Sequence, residues 1–407
     1  MILYNNMKPT EENIKKAYTE DLLGRKDDVD KFAAFLKEEY CPVSVAVDGE
    51  WGSGKTFFVK QVAYRLDEDP LDDPKKCLTV YYDAWENDND CDPILSIVDC
   101  IARAAGAEEG SKLEALISNA YTVIKTVCEN SVVQKLTKII DGVQTRYTDA
   151  VDSYDKAVPT NVQVREKLQE LYDEIIHEHG ARLVIFIDEL DRCRPDFAVK
   201  VLERIKHFVA IDEENRVRIV FSVNKNQLEH TIRKFYGDGF DARNYLKRFF
   251  EFVLKIPDAG ILPYVTQHDV NQTFKLNTEI ISATIEYFGI QIREINSFMS
   301  ELISVYETAQ KEGMLSLSSS AREFMQYILP IFLAAKYTSD DKYKKLVDGN
   351  GGDMIDAIWE DKLGYGHNEC RTRGYLSMFP NDGSTLSDEA IIEKNKILQY
   401  LDRPFGV

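Results

Sequence analysis

Residues Gly49-Glu50-Trp51-Gly52-Ser53-Gly54-Lys55-Thr56 constrain this chain more than any other stretch. The apolar run Val43-Ser44-Val45-Ala46-Val47 precedes them. Phe57-Phe58-Val59-Lys60-Gln61-Val62-Ala63 follows, with apolar side chains at helical spacing. Strand, glycine-rich loop and helix in that order make a phosphate-binding loop of Walker A type. Gly49, Gly52 and Gly54 let backbone N–H groups turn inward around phosphate oxygens, with a helix N-terminus behind them. Lys55 is placed to reach β- and γ-phosphates, and the Thr56 hydroxyl to bind Mg²⁺. Glu50, Trp51, Ser53 and Phe57 complete the candidate nucleotide contacts. Trp51 lies inside the loop, so it must sit near the phosphates or their protein cover.

A second motif lies far downstream. Leu183-Val184-Ile185-Phe186-Ile187 is wholly apolar and ends in Asp188-Glu189, which predicts a central parallel strand buried on both faces. Acids at its C-terminal end project toward the ligand crevice of an open α/β sheet. Asp188 is expected to hold Mg²⁺ through water, and Glu189 to orient and polarise the attacking water. An amphipathic helix follows over Val199–Lys206, then a buried strand, Arg218-Ile219-Val220-Phe221-Ser222-Val223. Asn224 at its end reads either as a contact to the γ-phosphate or lytic water, or as an ordinary strand-end turn residue.

Composition sets the limits. The chain has 407 residues, enough for two or three domains, and a formal net charge of -19 with a pI of about 4.9. Such acidity argues against a broad footprint on nucleic-acid phosphates. Lys200, Arg204, Lys206, Arg216 and Arg218 are close in sequence, and a solvated helix face is the expected reading. The seven cysteines are odd in number and lack zinc-ligand spacing, as expected of reduced, buried thiols. His177 and His179 are expected at the surface. No stretch reaches the ~18–20 apolar residues of a membrane span. Tyr327–Ala335 is too short and reads as a core helix segment, so the chain is expected to be soluble and cytoplasmic.

Four stretches together resemble the KAP family of P-loop NTPases. They are the loop Gly49–Thr56 with its tryptophan, Val80-Tyr81-Tyr82-Asp83-Ala84-Trp85-Glu86, Ile187-Asp188-Glu189-Leu190-Asp191-Arg192-Cys193, and Tyr245-Leu246-Lys247-Arg248-Phe249-Phe250. The resemblance spans about residues 20 to 300. Four positions depart from the family pattern: Glu189 and Asn224 stand where Asp is usual, and Tyr82-Asp83 where Phe-Asn is frequent. Either acid can serve as base at position 189. Asn224 lacks the usual negative charge. Trp85 is expected to be a core aromatic.

The resemblance implies a parallel α/β P-loop sheet with a helical insertion and a C-terminal helical lid. It implies a lead-in over residues 1–20, a core over 21–265 with the insertion at about 100–180, and a lid and C-terminal region over 266–407. The insertion occupies the place where many relatives carry membrane helices. It reads either as a surface for a protein partner or as a passive elaboration. Asp21-Leu22-Leu23-Gly24-Arg25 resembles the short box that cups adenine in related NTPases, and it also reads as the start of a helix. Arg293, within Ile290–Met299, stands where an arginine reaching the γ-phosphate from the lid is expected, or is a helix-surface residue. Arg192, Arg194 and Arg248 could instead act across an interface, in a possible homo-oligomer.

The function implied is an ATP-binding, Mg²⁺-dependent, ATP-hydrolysing switch that returns ADP and works by conformational change. Relatives in bacteria are associated with defence against phage and mobile elements, and in animals with membrane signalling scaffolds. The rival reading is a nucleotide-gated interaction module with little turnover. A small-molecule kinase shares the loop, but it would have no use for the Asp188–Arg192 element.

Overall fold

The computed structural model describes residues 8–70, 73, 75–90, 92–108, 110–140, 161–179, 182–209, 216–268, 277–312, 323–362, 375, 379–380, 386 and 388–402. Five strands form one sheet: β1 (Ser44–Asp48), β2 (Cys77–Asp83), β3 (Arg182–Asp188), β4 (Val217–Val223) and β5 (Phe252–Lys255). Their order is β2-β3-β4-β1-β5, and every neighbouring pair is parallel. The parallel α/β sheet read from the sequence is thus the fold. Strand β4 stands between β1 and β3, so the strands bearing the phosphate loop and the acidic motif do not touch.

Burial of both sheet faces explains the apolar runs. Successive side chains point to opposite faces. Val45, Val47, Val184, Phe186 and Val220 pack with Phe32, Leu36, Phe58, Val59 and Val62 from α2 (Lys26–Leu36) and α3 (Lys55–Asp67). Ala46, Ile185, Ile187, Ile219 and Phe221 face a second core. That core includes Ile97, Val98 and Ile101 of α4 (Pro93–Ala104) and Leu171, Tyr172 and Ile175 from further along the chain. The preceding helix α1 (Glu11–Glu20) is capped by Thr10, whose hydroxyl accepts from Asn13 N–H.

The insertion is helical among its described residues. Helix α5 (Lys112–Ile140) packs against α4 and against α6 (Asn161–His179). Ala104-Ala105-Gly106-Ala107 and Asp152-Ser153-Tyr154-Asp155 read in the sequence as breaks between helices. The first is present, with Gly106 at φ +58, and the second lies outside the described residues. Helix α7 (Pro195–Val209) follows β3, and α8 (Lys225–Tyr236) and α9 (Ala242–Leu246) lie between β4 and β5.

The basic cluster expected as one solvated face is dispersed. Lys200 and Arg204 face Asp92 on the neighbouring α4 cap, and Arg216 pairs with Asp173. Arg218 is buried inside β4. Cys41, Cys77, Cys100 and Cys193 are free thiols, three of them buried. The Cys91, Cys128 and Cys370 side chains lie outside the described residues. His177 is exposed, and the His179 side chain lies outside the described residues.

A third core begins at Ile261 and belongs to the lid. Its helices are α10 (Ile261–His268), α11 (Thr278–Phe288), α12 (Ile292–Lys311), α13 (Leu329–Thr338), α14 (Asp340–Val347), α15 (Gly352–Ala357) and α16 (Asp388–Asp402). The sequence pattern from Asn271 to Tyr287 reads as a helix; the helix begins at Thr278, capped by the Asn277 side chain, and residues 269–276 lie outside the described residues. A π-helical turn, Phe324–Ile328, leads into α13, whose Leu329–Ala335 stretch is wholly buried.

Inside the lid, Glu301 of α12 has a buried carboxylate oxygen with no hydrogen-bond partner. Burial pushes its carboxyl from 4.5 up to about 7, against the pull of Lys336. The folded state therefore holds this proton more tightly than the unfolded chain, and the residue's contribution to stability falls as pH rises from about 4.5 to about 7. Glu301→Gln is expected to raise the melting temperature at pH 8 and to leave it unchanged at pH 4. Thermal unfolding at the two pH values checks this.

Candidate functional site

Strand β1 ends at Asp48, and the chain then turns through Gly49–Gly54 into α3. Two loop glycines have backbone angles closed to most side chains, Gly52 at φ +80 and Gly54 at φ +86. Gly49 is small for a different reason: a Cβ there would lie 2.5 Å from Ile256 Cγ2. Lys55 is nearly buried, and its ammonium lies across the loop, donating to the carbonyls of Gly49 at 2.7 Å and Glu50 at 3.1 Å.

Other elements hold the same loop. The Arg25 guanidinium, 6 % exposed, donates to the Ser53 carbonyl at 2.9 Å. Burial lowers its pKa to about 10, opposed by Asp258 and Asp28. Asn224 donates to Glu50 Oε2 at 2.9 Å, while its carbonyl accepts from Gln227 N–H and caps α8. Trp51 donates its indole N–H to Asp191 Oδ2 at 2.5 Å.

The acidic motif meets this loop from β3. Asp188 is 1 % exposed, with one oxygen accepting from Tyr81 OH at 2.9 Å and the other from Glu189 N–H at 2.9 Å. Burial, and then the Asp188 charge, raise the Tyr81 phenol. Glu189 sits at φ +60, which costs about 1 kcal/mol in a residue with a Cβ. Its carboxylate receives Thr56 Oγ1 at 3.5 Å and pairs with the Arg192 guanidinium. Burial first, then Asp188, push Glu189 from 4.5 up to about 7, and Arg192 pulls it back. A base with a pKa near neutrality is well matched to proton abstraction at physiological pH.

A cavity of about 370 Å³ runs along the loop. Its lining includes the apolar Leu22, Leu23, Tyr264 and Ile292 and the polar Lys55, Thr56, Glu189 and Arg192. Gly52, Gly54, Trp51, Phe57 and Arg293 also line it. The size lies within the ~300–1,000 Å³ of small-ligand sites. Glu20 and Asp21 from the end of α1 also reach it. The Leu23 carbonyl accepts from Gly260 N–H at 2.8 Å, which ties the Leu22–Gly24 box to the start of the lid. Gly24, at φ +63, makes the turn between α1 and α2. A second cavity opens on the far side of Glu189 and Arg192, walled by Lys60, Tyr81, Asp83, Trp85 and Arg103.

The structure brings Lys55, Thr56, Glu189 and Arg293 around one space, whereas Asn224 and the buried Asp188 line neither cavity, Asp188 being engaged by Tyr81 OH and Glu189 N–H. Arg293 rests on the loop: a Cβ on Gly52 would stand 3.0 Å from Arg293 Nε. Arg194 is held by Asp88, and Arg248 is exposed away from both cavities. Trp85 corrects the sequence expectation. It is 54 % exposed, because Asp83 accepts from the N–H groups of Trp85 and Glu86 and turns the chain outward at the end of β2. The Arg192 guanidinium lies over its ring, 5.7 Å from the centroid.

Sequence reasoning passed over Arg25, Tyr81 and Tyr264 as site residues. Tyr81 had a usable signal: two positions before Asp83 on β2, it shares that residue's face. Arg25 and Tyr264 reach the site through tertiary packing alone. The donors around Thr56, Asp188 and Glu189 are hard oxygens, the set that suits Mg²⁺ carried with substrate phosphates. Among the described residues, no group of three or more His, Cys, Asp or Glu side chains is arranged to hold a metal alone. Among them, too, no helix is long and apolar enough to cross a membrane.

A parallel sheet with this loop after β1 and these acids after β3 defines a P-loop nucleotide-binding domain. The profile of the KAP family P-loop domain matches residues 29–309, and the chain belongs to that family of P-loop NTPases. Two solved structures are similar at low identity. The ORC2 protein of Aeropyrum pernix, in ADPNP and ADP complexes, is 14% identical with a TM-score of 0.38, over 92% of this chain and 94% of that one. A Walker-type ATPase of Pyrococcus abyssi is 14% identical with a TM-score of 0.35, over 98% of this chain and 93% of the other. Comparison with curated proteins finds no match.

Gly52 faces a double demand, a positive φ and a lid side chain against its bare Cα. Gly52→Ala is expected to lower stability by about 1–2 kcal/mol and to weaken nucleotide binding. Thermal unfolding and direct ATP titration check the two effects.

Proposed function

We propose that the chain is an ATP-hydrolysing switch whose lid reads the nucleotide state. The observation that carries this reading is the convergence of Lys55, Thr56 and Glu189 on one cavity, with Asp188 directly behind Glu189 and Arg293 of the lid against the same loop. The adenine would lie between Leu22, Leu23, Tyr264 and Ile292, and the phosphates along Gly52–Thr56. Thr56 and Asp188 would hold Mg²⁺, which offsets phosphate charge as it develops. Glu189 accepts a proton from water as the water oxygen attacks the γ-phosphorus. The bond from that phosphorus to the β–γ bridging oxygen breaks, leaving ADP and inorganic phosphate. Lys55 stabilises the charge that collects on the β- and γ-oxygens.

The family resemblance supports a place for such a switch in defence against phage or mobile elements. The insertion and the C-terminal region are where a protein partner would dock. The second reading, a nucleotide-gated scaffold with little turnover, draws on one observation: Arg192 engages the Glu189 carboxylate that would have to accept the proton.

Two variants test the hydrolytic reading together. Lys55→Ala is expected to lose ATP binding. Glu189→Gln is expected to bind ATP but to turn it over at least ~10²-fold more slowly. Normal turnover in a folded Glu189→Gln protein moves the base elsewhere.

Arg293 lies in the same chain's cavity, so it is expected to act in cis. Arg293→Ala should cut turnover by roughly 10²-fold or more, and turnover per chain should not depend on protein concentration. A steep rise with concentration, together with a normal Arg293→Ala protein, would point to an arginine from a second copy.

A further inference from the structure

Strands β1 and β3 are separated by β4, a distance of about 9–10 Å for two strand spacings. The loop after β1 and the turn after β3 therefore share no backbone ladder. Side chains must set one against the other, and the Thr56–Glu189 contact, at 3.5 Å, is a long one. Trp51 crosses the gap, meeting Asp191 at 2.5 Å.

Asp191 is well placed to hold what Trp51 reaches. It is 4 % exposed, in the 3₁₀ turn Leu190–Arg192, next to the fully buried Leu190. The turn closes on Glu189 itself: Arg192 N–H donates to the Glu189 carbonyl at 3.1 Å, and Cys193 N–H to the Leu190 carbonyl at 3.3 Å. Glu189 has a backbone conformation that persists only where its surroundings impose it. The direction of the bond is unambiguous, since an indole N–H only donates and a carboxylate only accepts. Hydrogen bonds to a charged acceptor are among the stronger kinds.

We propose that Trp51 and Asp191 are positioning residues that lock the Glu189 turn to the phosphate loop, so that base and γ-phosphate keep a fixed separation. This rests on the hydrolytic reading, in which Glu189 is the base. Trp51 acts through Asp191 and not through the nucleotide alone, and Asp191 acts as an acceptor and not as a base. A misplacement of the order of 1 Å between reacting groups costs about 100-fold in rate, and that is the scale of loss this bond guards against.

Acid-quenched single-turnover cleavage of ATP, alongside equilibrium ATP titration and thermal unfolding, tests the pair. Trp51→Phe keeps a ring and removes only the N–H. It is expected to slow cleavage by about 10- to 100-fold, with ATP affinity within about 3-fold and a melting temperature lowered by only a few degrees. Asp191→Asn retains an acceptor oxygen and is expected to rescue cleavage to within about five-fold of the parent. Asp191→Leu is expected to match Trp51→Phe, and the double variant to be no slower than either alone. Parental cleavage in Trp51→Phe overturns the proposal. So does a Trp51→Phe loss that falls equally on affinity and rate, which would make Trp51 a nucleotide contact only. Collapse of Asp191→Asn to the level of Glu189→Gln overturns it as well, by making Asp191 a base. Absence of any cleavage by the parent chain overturns the hydrolytic reading and the positioning together. Cleavage indifferent to Trp51→Phe overturns the positioning alone.

Discussion

The position of β4 between β1 and β3 governs the rest of the site. It places the phosphate loop and Glu189 two strands apart and leaves a gap above the sheet between them. Side chains from both sides bridge that gap at its base. Asn224, at the end of β4, takes Glu50, and Asp191, past the end of β3, takes Trp51. Arg25 holds Ser53 from the opposite side. A loop rich in glycine has few contacts of its own, so its shape is held by its neighbours.

Two of the three apolar cores hold the sheet and the third holds the lid. The lid meets the nucleotide cavity through a small set of groups. Gly260 N–H bonds to the Leu23 carbonyl, Tyr264 and Ile292 form an apolar wall, and Arg293 lies on the loop. The residues that would enclose an adenine thus come from the chain segments just before and just after the core. A ligand in that cavity touches the start of α2, the loop and the first turn of α12 together.

Much of this was legible in residues alone, for identifiable reasons. Strands buried on both faces carry unbroken apolar runs, so Leu183–Ile187 and Ile219–Val223 announced themselves. The loop announced itself because its chemistry leaves little freedom of residue type. The Trp85 environment was not legible: a tryptophan after an apolar strand reads as core, and only the turn made by Asp83 sends it outward to Arg192. Asn224, at the end of a parallel strand, reads either as a phosphate contact or as a turn residue, and its amide is engaged by Glu50 and by the α8 cap. Strand order is set by long-range pairing, so the meeting of Trp51 with Asp191, 140 positions apart, has no local signature.

The bare Cα of Gly52 has a mechanical consequence. Where two side chains meet, each can change rotamer and absorb a shift of its neighbour. At Gly52 one partner is main chain, with nothing to rotate, and Arg293 and Gln291 stand within 3.1 Å of where its Cβ would be. A displacement of the loop toward the lid can therefore be absorbed on one side only, by the side chains of Arg293 and Gln291 at the start of the 20-residue helix α12.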